Sequence, residues 1–213
     1  MDMKFLFSIL YVIGLYGAYM AGFLYLRNKS ITLRFPRITV VLFLMIAVPS
    51  TLQFIFPSLL TTLQRDPVRF FHGEWWRLVT PLLVQDGGIA GTVFNLISLL
   101  FVGTIAEQLW NSQEILLLFF VGGIVGEIVA FAWQPIGAGN SVGNFSMAAS
   151  VAIMVFVRSS QQPARIASLL PIAAYMVLLA FKDIHGAASL TGVMLAFFLA
   201  RRATNIPLSE SKM

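Results

Sequence analysis

Seven long apolar stretches divide the sequence and restrict what the chain can fold into. A helix needs about 20 apolar residues to cross the hydrocarbon core of a bilayer, and each stretch reaches or nearly reaches that length. Only 11% of the residues are charged, whereas soluble domains carry about 25%. The sequence therefore predicts an all-α, polytopic membrane helix bundle. The stretches lie at about residues 5–26, 38–56, 91–110, 115–133, 141–157, 166–181 and 184–200.

The positions of the basic residues predict how the helices are oriented. If the N-terminus lies outside, most of the 14 Lys and Arg residues fall in cytoplasmic segments, as the positive-inside rule requires. The net charge of +5 is then a consequence of topology, and we expect no nucleic-acid partner. The long connection 57–90 mixes aromatic and charged residues, which predicts a loop lying in the outer membrane interface.

The composition also excludes several kinds of site. The sequence contains no Cys and only two His, so disulfides, Cys-ligated metals and thiol nucleophiles are ruled out. The two His residues do not form a His-x-x-x-His pair, which argues against zinc. We therefore expect no metal and no cofactor.

Three polar residues share one predicted layer of the membrane. Asn95, Ser141 and His185 lie near the starts of the third, fifth and seventh apolar stretches, which all begin at the outer face in this topology. An imidazole can take the proton of a hydroxyl that attacks a carbonyl, and amide donors can hold the resulting oxyanion. The Gly-rich segment 135–140 before Ser141 is tolerable at membrane depth only where it is buried or lines a watery cavity. The layer therefore suggests a hydrolase.

Each residue also has a structural explanation. Ser is common at helix N-caps, and Asn often joins helices inside membranes. Ser146 and Ser150 are rival nucleophiles, but they lie about 7.5 and 13.5 Å further along the helix than Ser141.

Two acidic residues leave further alternatives open. Asp183 could orient the His185 ring or simply lie at the water boundary. Glu127 is expected to contact the outer loop, through Arg77 or Arg69, with a proton or substrate role as the alternative.

Four segments in order resemble the rhomboid family of intramembrane serine proteases. The segment 73–80 is similar to that family's Gly-Glu/Gln-x-Trp-Arg-x-x-Thr pattern, and Asn95 precedes a Gly-x-x-x-Glu at 103–107. Residues 139–141 resemble the Gly-x-Ser of the family's nucleophile, and 185–192 resemble the segment of its catalytic His. The resemblance covers roughly residues 38 to 200.

The resemblance implies a fold and a set of site residues. It implies a six-helix core at 38–201, with an extra N-terminal transmembrane helix and basic cytoplasmic loop at 1–37 and a cytoplasmic tail at 202–213. Ser141 would be the nucleophile and His185 the general base and then acid, without a third carboxylate. Asn95 and the backbone N–H of Ser141 would form the oxyanion hole, and Phe145 would stack on the ring or contact substrate.

The sequence departs from the family pattern at four positions. Phe145 stands where the family often has a Tyr. Gly91 stands where the family usually has a His donor, Val142 replaces the Gly after the nucleophile, and Ala188 replaces a Gly of the His helix. The loss of one oxyanion donor can cost about 10²–10³ in rate. Close approach of the helices that carry Ser141 and His185 is expected to depend on small residues. These residues are Gly139, Gly143, Ala188 and Gly192.

Three functions follow, in order of preference. The first is a serine endopeptidase of a prokaryotic plasma membrane that cuts another protein's transmembrane segment near its outer end. The second is a catalytically weak or inactive rhomboid-like protein that binds membrane clients. The third is a small transporter or channel, which the lack of intramembrane carboxylate pairs disfavours. The partners would be a transmembrane protein and the lipid bilayer, and no oligomeric state follows from the sequence.

Overall fold

The computed structural model describes residues 3–27 and 33–204, and all regular elements there are helical apart from one isolated bridge between Arg65 and Gly137. The predicted all-α class is confirmed. Four short helical segments interrupt the long connection between the second and third apolar stretches. The long helices are α1 (Met3–Arg27), α2 (Arg37–Leu52), α5 (Gly88–Leu109), α6 (Ser112–Trp133), α7 (Ser141–Arg158), α8 (Gln162–Ala180) and α9 (Ile184–Thr204), and the connection contains α3 (Ser58–Leu63), α4 (Pro67–Phe71) and two 3₁₀ turns, Trp75–Leu78 and Thr80–Leu83.

Six described helices are long and apolar enough to cross a membrane, whereas the sequence suggested seven spans. The exception is α2, which ends at Leu52 rather than near Phe56 and contains 16 residues. At 1.5 Å per residue it measures about 24 Å, less than the roughly 30 Å of the hydrocarbon core. Turns replace helix over the last apolar residues because the chain must bend there to enter the outer loop.

The outer loop is folded onto the bundle rather than extended. Arg77 is 1% exposed and donates from Nε to Glu74 Oε2 at 2.6 Å. Its Nη1 donates to the carbonyls of Thr61 and Gln64 at 3.0 and 2.7 Å. A buried guanidinium that binds the carboxylate of Glu74 and two carbonyls at the end of α3 fixes the path of the loop.

The central helix α7 packs against α5, α6, α8, α9 and α1. Its neighbours approach closely because glycines face it. A Cβ added at Gly192 of α9 would lie 2.1 Å from the carbonyl oxygen of Ser146, and one added at Gly122 of α6 would lie 2.0 Å from the Ser146 hydroxyl. Gly122 and Gly126 therefore serve packing within this bundle, as small-residue pairs in membranes commonly do.

The first helix lies against α5, α7 and α8. The hydroxyl of Tyr175 donates to the carbonyl of Gly14 at 2.7 Å, and a Cβ at Gly22 would meet Ile105 at 2.3 Å. Five large apolar residues of α1 are exposed on one face at helical spacing, which suits contact with lipid. They are Phe5, Ile9, Val12, Tyr16 and Phe23.

The proposed division at residues 37 and 201 stays a prediction. Helix α9 continues to Thr204, so the first three residues of the predicted tail are helical. The remainder of that tail, 205–213, and residues 28–32 of the basic loop lie outside the described residues.

Candidate active site

The segment 135–140 places Ser141 at the first position of α7. Pro135 and two glycines prevent the chain from continuing α6, and hydrogen bonds to the outer loop hold the segment. Arg65 N donates to Gly137 O at 2.8 Å, and Gly139 N donates to Pro81 O at 2.9 Å. The first turn of a helix leaves backbone N–H groups without intrahelical partners, so a negative charge beside Ser141 would face donors and the positive end of the helix dipole.

A tight turn between α8 and α9 places His185 opposite Ser141. Lys182 adopts a left-handed backbone with φ of 55°, and Asp183 then caps α9 by accepting the backbone N–H of His185 at 2.9 Å. The Nε2 of His185 lies 2.8 Å from Ser141 Oγ. Two residues 44 positions apart are thus within hydrogen-bond distance.

The other nitrogen of His185 contacts a carboxylate. Asp183 Oδ1 lies 2.6 Å from His185 Nδ1, and Asp183 Oδ2 accepts the hydroxyl of Tyr11 at 2.6 Å. Burial alone raises the pKa of Asp183, but the charge of His185 and hydrogen bonds from His185 and Tyr11 outweigh burial and hold that pKa below its ordinary value. The carboxylate is therefore charged at neutral pH.

Asn95 enters the same site through a buried polar network. Its Nδ2 donates to Gln85 Oε1 at 2.7 Å, and Gln85 Nε2 donates to Asn140 Oδ1 at 2.8 Å. Asn144 Nδ2 donates to the carbonyl of Asn95 at 3.0 Å. A methyl group added at Gly139 would lie 3.3 Å from Ser141 Oγ and 3.4 Å from Asn95 Nδ2, so the two side chains bound one small space.

A cavity of about 570 Å³ contains this site. Gly91 lies on its wall with no atom within 4 Å of an added Cβ, so the position where the family usually has a His is open space. Phe145 is 1% exposed, and its ring centre is 4.7 Å from that of His185 at 52°. The two rings are therefore in contact, but they are tilted rather than stacked.

The rival serines are turned away from the cavity. Ser146 and Ser150 are fully buried and donate to the carbonyls of Leu118 and Met147, each at 2.7 Å. Their protons are thus committed to backbone oxygens.

The predicted small-residue contacts are only partly correct. Gly192 approaches α7 as expected, but a Cβ at Gly143 would meet Phe119 of α6 at 2.6 Å. Gly143 therefore faces α6 rather than α9.

The expectation that Glu127 contacts the outer loop is correct, but its partner is Arg65 rather than Arg77 or Arg69. Arg65 Nη1 lies 2.6 Å from Glu127 Oε2, with the two side chains 3% and 1% exposed. Arg65 Nε also donates to the carbonyl of Gln134 at 2.8 Å. The ion pair between Arg65 and Glu127 holds the outer loop against the end of α6 beside the cavity.

Sequence reasoning missed Gln85, Tyr11 and Arg65 at this site. The position of Gln85, directly after the short apolar run 82–84 in the outer loop, was an available signal. Tyr11 carried none, because aromatic residues are common near membrane interfaces.

Comparisons with known proteins agree on the family. The rhomboid domain model matches residues 72–204. Rhomboid protease GluP of Bacillus subtilis (strain 168) is 42% identical over 64 residues, which are 30% of this chain and 12% of that protein. YdcA of the same organism, named as a proposed rhomboid protease, is 27% identical over 164 residues, 70% of this chain and 80% of that protein. Rhomboid-like protease 3 of Toxoplasma gondii is 30% identical over 106 residues, 47% of this chain and 40% of that protein.

The family model covers more than half of the chain, and the helices that carry its motifs are long and apolar enough to span a membrane. The chain therefore belongs to the rhomboid family and is a multi-pass cell membrane protein.

Proposed function

We propose that this chain is an intramembrane serine protease in which Ser141 and His185 form a catalytic dyad. The observation that carries the proposal is the 2.8 Å contact between Ser141 Oγ and His185 Nε2 on the wall of a cavity that several polar side chains line. A nucleophile within hydrogen-bond reach of its base is the geometry that nucleophilic catalysis needs.

The reaction would proceed through an acyl-enzyme. Ser141 Oγ attacks the carbonyl carbon of the scissile bond while His185 Nε2 accepts the hydroxyl proton. His185 then gives this proton to the leaving amine, and a water molecule, activated by the same nitrogen, hydrolyses the ester. The cavity would supply the water.

The oxyanion would be held by Asn95 and the backbone N–H of Ser141. An amide side chain carries two N–H donors, and Gln85 accepts from the Nδ2 of Asn95, which leaves the second hydrogen for an oxyanion. Gly91 contributes no donor, so the family's usual third donor is missing and the rate is expected to be lower than with it.

The substrate would be a transmembrane segment of another protein. A helical peptide bond is hidden by its own hydrogen bonds, so the segment must unwind before Ser141 can reach a carbonyl. Segments with Gly or Pro near the cut are therefore the preferred substrates, because these residues weaken a helix. The contact between enzyme and substrate would take place within the bilayer.

The test uses the full chain in proteoliposomes with a reporter transmembrane segment. Ser141→Ala and His185→Ala are each expected to abolish cleavage while the folded fraction is unchanged. Ser146→Ala is the matched control, since it removes a hydroxyl five residues further along α7 and is expected to leave cleavage intact. Cleavage by the Ser141→Ala variant at the wild-type rate would refute the proposal.

The open position at Gly91 favours one second candidate, a weak or inactive family member that binds membrane clients. Reaction with a fluorophosphonate separates the two, because only an activated hydroxyl becomes covalently modified. Labelling of the wild type that disappears in Ser141→Ala supports the protease. An unlabelled Ser141 in a folded, client-binding protein supports the binding role.

A further inference from the structure

Tyr11 links the first helix to the proposed site. Its hydroxyl donates to Asp183 Oδ2 at 2.6 Å, although the two residues lie 172 positions apart. Its ring centre is 4.5 Å from that of His185 and 5.7 Å from that of Phe145. One side chain of α1 therefore contacts both the carboxylate and the imidazole.

Asp183 uses both carboxylate oxygens. Oδ1 accepts from the backbone N–H of His185 at 2.9 Å and faces the ring Nδ1 at 2.6 Å, while Oδ2 accepts from Tyr11. A carboxylate has no proton to give, so the Nδ1 of His185 must carry hydrogen in this contact. The Nε2 of a neutral ring is then the unprotonated nitrogen, which is the one that faces Ser141.

Asp183 also has a structural role as the N-cap of α9. An N-cap needs only one oxygen that accepts from the helix backbone. The second oxygen, the ring contact and the hydroxyl of Tyr11 go beyond that need. Burial of the carboxylate, which is 1% exposed, strengthens the ring contact because little water competes for it.

Helix α1 holds Tyr11 in place through close contacts further along its length. A Cβ at Gly14 would lie 2.9 Å from both Phe145 and Tyr175, and one at Gly17 would lie 3.1 Å from Pro171. These glycines let α1 approach α7 and α8 closely. The hydroxyl of Tyr11 consequently reaches Asp183 without a bridging molecule.

We propose that Asp183 and Tyr11 are positioning residues that set the tautomer and orientation of His185, so that the first helix completes the dyad. This inference rests on the proposed function. It adds a carboxylate and a tyrosine to a site for which the family resemblance implied no third group. The other charged residues that line the same cavity are Arg65, Asp86 and Glu127.

Two substitutions separate positioning from folding. Asp183→Ser retains a good N-cap oxygen, but the short side chain cannot reach Nδ1 of His185 or the hydroxyl of Tyr11. Tyr11→Phe retains the ring contacts and removes only the hydroxyl. Tyr16→Phe is the matched control, because the same change is made on the same helix where the side chain is 55% exposed.

The first measurement is the cleavage rate of a reporter segment by the full chain. In serine proteases with a third carboxylate, loss of the correct tautomer costs up to about 10⁴ in kcat. We expect kcat to fall by about 10²–10⁴ in Asp183→Ser and by about 3–10-fold in Tyr11→Phe, where one hydrogen bond to a charged group is lost. Tyr16→Phe should match the wild type.

The second measurement reads the tautomer directly and does not depend on activity. The chain contains two histidines, so selective ¹⁵N labelling gives two imidazole spectra, and His72→Gln identifies which belongs to His185. The wild type should show a proton on Nδ1 of His185, and Asp183→Ser should lose this preference.

Wild-type rates and an unchanged tautomer in both variants, with Ser141→Ala inactive, would overturn the inference and leave the proposed function standing. A wild type that neither cleaves nor reacts with a fluorophosphonate would instead refute the proposed function. In that case an Nδ1 proton that depends on Asp183 would still support the positioning role.

Discussion

Gly192→Ala should separate the two helices that carry Ser141 and His185. A Cβ at Gly192 would lie 2.1 Å from the carbonyl oxygen of Ser146, whereas real Cβ atoms essentially never come within 3.0 Å of such an atom. The blocking atom is backbone, so it cannot rotate away. Helices α7 and α9 must therefore move apart by at least about 0.9 Å, the difference between these two distances.

The hydrogen bond between Ser141 and His185 tolerates less lengthening than this displacement. The Ser141 Oγ to His185 Nε2 distance is 2.8 Å, and a hydrogen bond is lost beyond about 3.5 Å. Because misplacement of a reacting group by about 1 Å can cost about 10²-fold, we expect the cleavage rate to fall by about 10–100-fold. Overpacking of a core should also lower the free energy of unfolding by about 1–3 kcal/mol.

The assay compares initial cleavage rates in proteoliposomes with unfolding in detergent. Gly91→Ala is the control for stability, because no atom lies within 4 Å of its added Cβ, and its unfolding midpoint should not fall. A Gly192→Ala protein with the wild-type rate and stability would show that the contact of α7 with α9 is not tight, and the reasoning would fail.

Three further predictions concern buried polar contacts. Arg65→Met should lower the free energy of unfolding by about 3–5 kcal/mol, because Glu127 is left buried without its cation, and adding Glu127→Leu should recover part of this loss in detergent unfolding. Tyr175→Phe should cost about 1 kcal/mol in the same measurement, since the carbonyl of Gly14 loses a donor. The pKa of Asp183 is lower in the folded chain than its ordinary value, so the contribution of this carboxylate to stability should be complete above pH of about 4 and be lost as pH falls through the folded-state pKa. Acid unfolding of Asp183→Ser should lack that step.

The apolar stretches were sufficient to predict the helices, because hydropathy acts locally and the bilayer fixes the length of a span. The main error concerned the second stretch, where a turn into the outer loop shortened the helix to 16 residues. Hydropathy could not reveal this, since the residues after Leu52 are as apolar as those before it.

The candidate site was also partly accessible from the sequence. Asn95, Ser141 and His185 could be assigned to one layer because each lies near the start of a helix that begins at the same face. Glu127 was expected to contact the loop, but nothing local distinguishes Arg65 from Arg69 or Arg77 as its partner. That choice depends on how the loop folds over α6.

The sequence alone determined that the chain forms a membrane bundle of the rhomboid family and that a hydroxyl, an amide and an imidazole lie at similar depth. Only the tertiary structure decided that Ser141 and His185 meet at 2.8 Å and that Tyr11 reaches Asp183 from 172 positions away. The physical reason is that depth follows from the length and polarity of each helix taken singly. The contacts depend on how closely the helices pack and on which faces they turn toward one another. Small residues such as Gly14 and Gly192 allow close packing, but only the folded bundle shows which helix each of them faces.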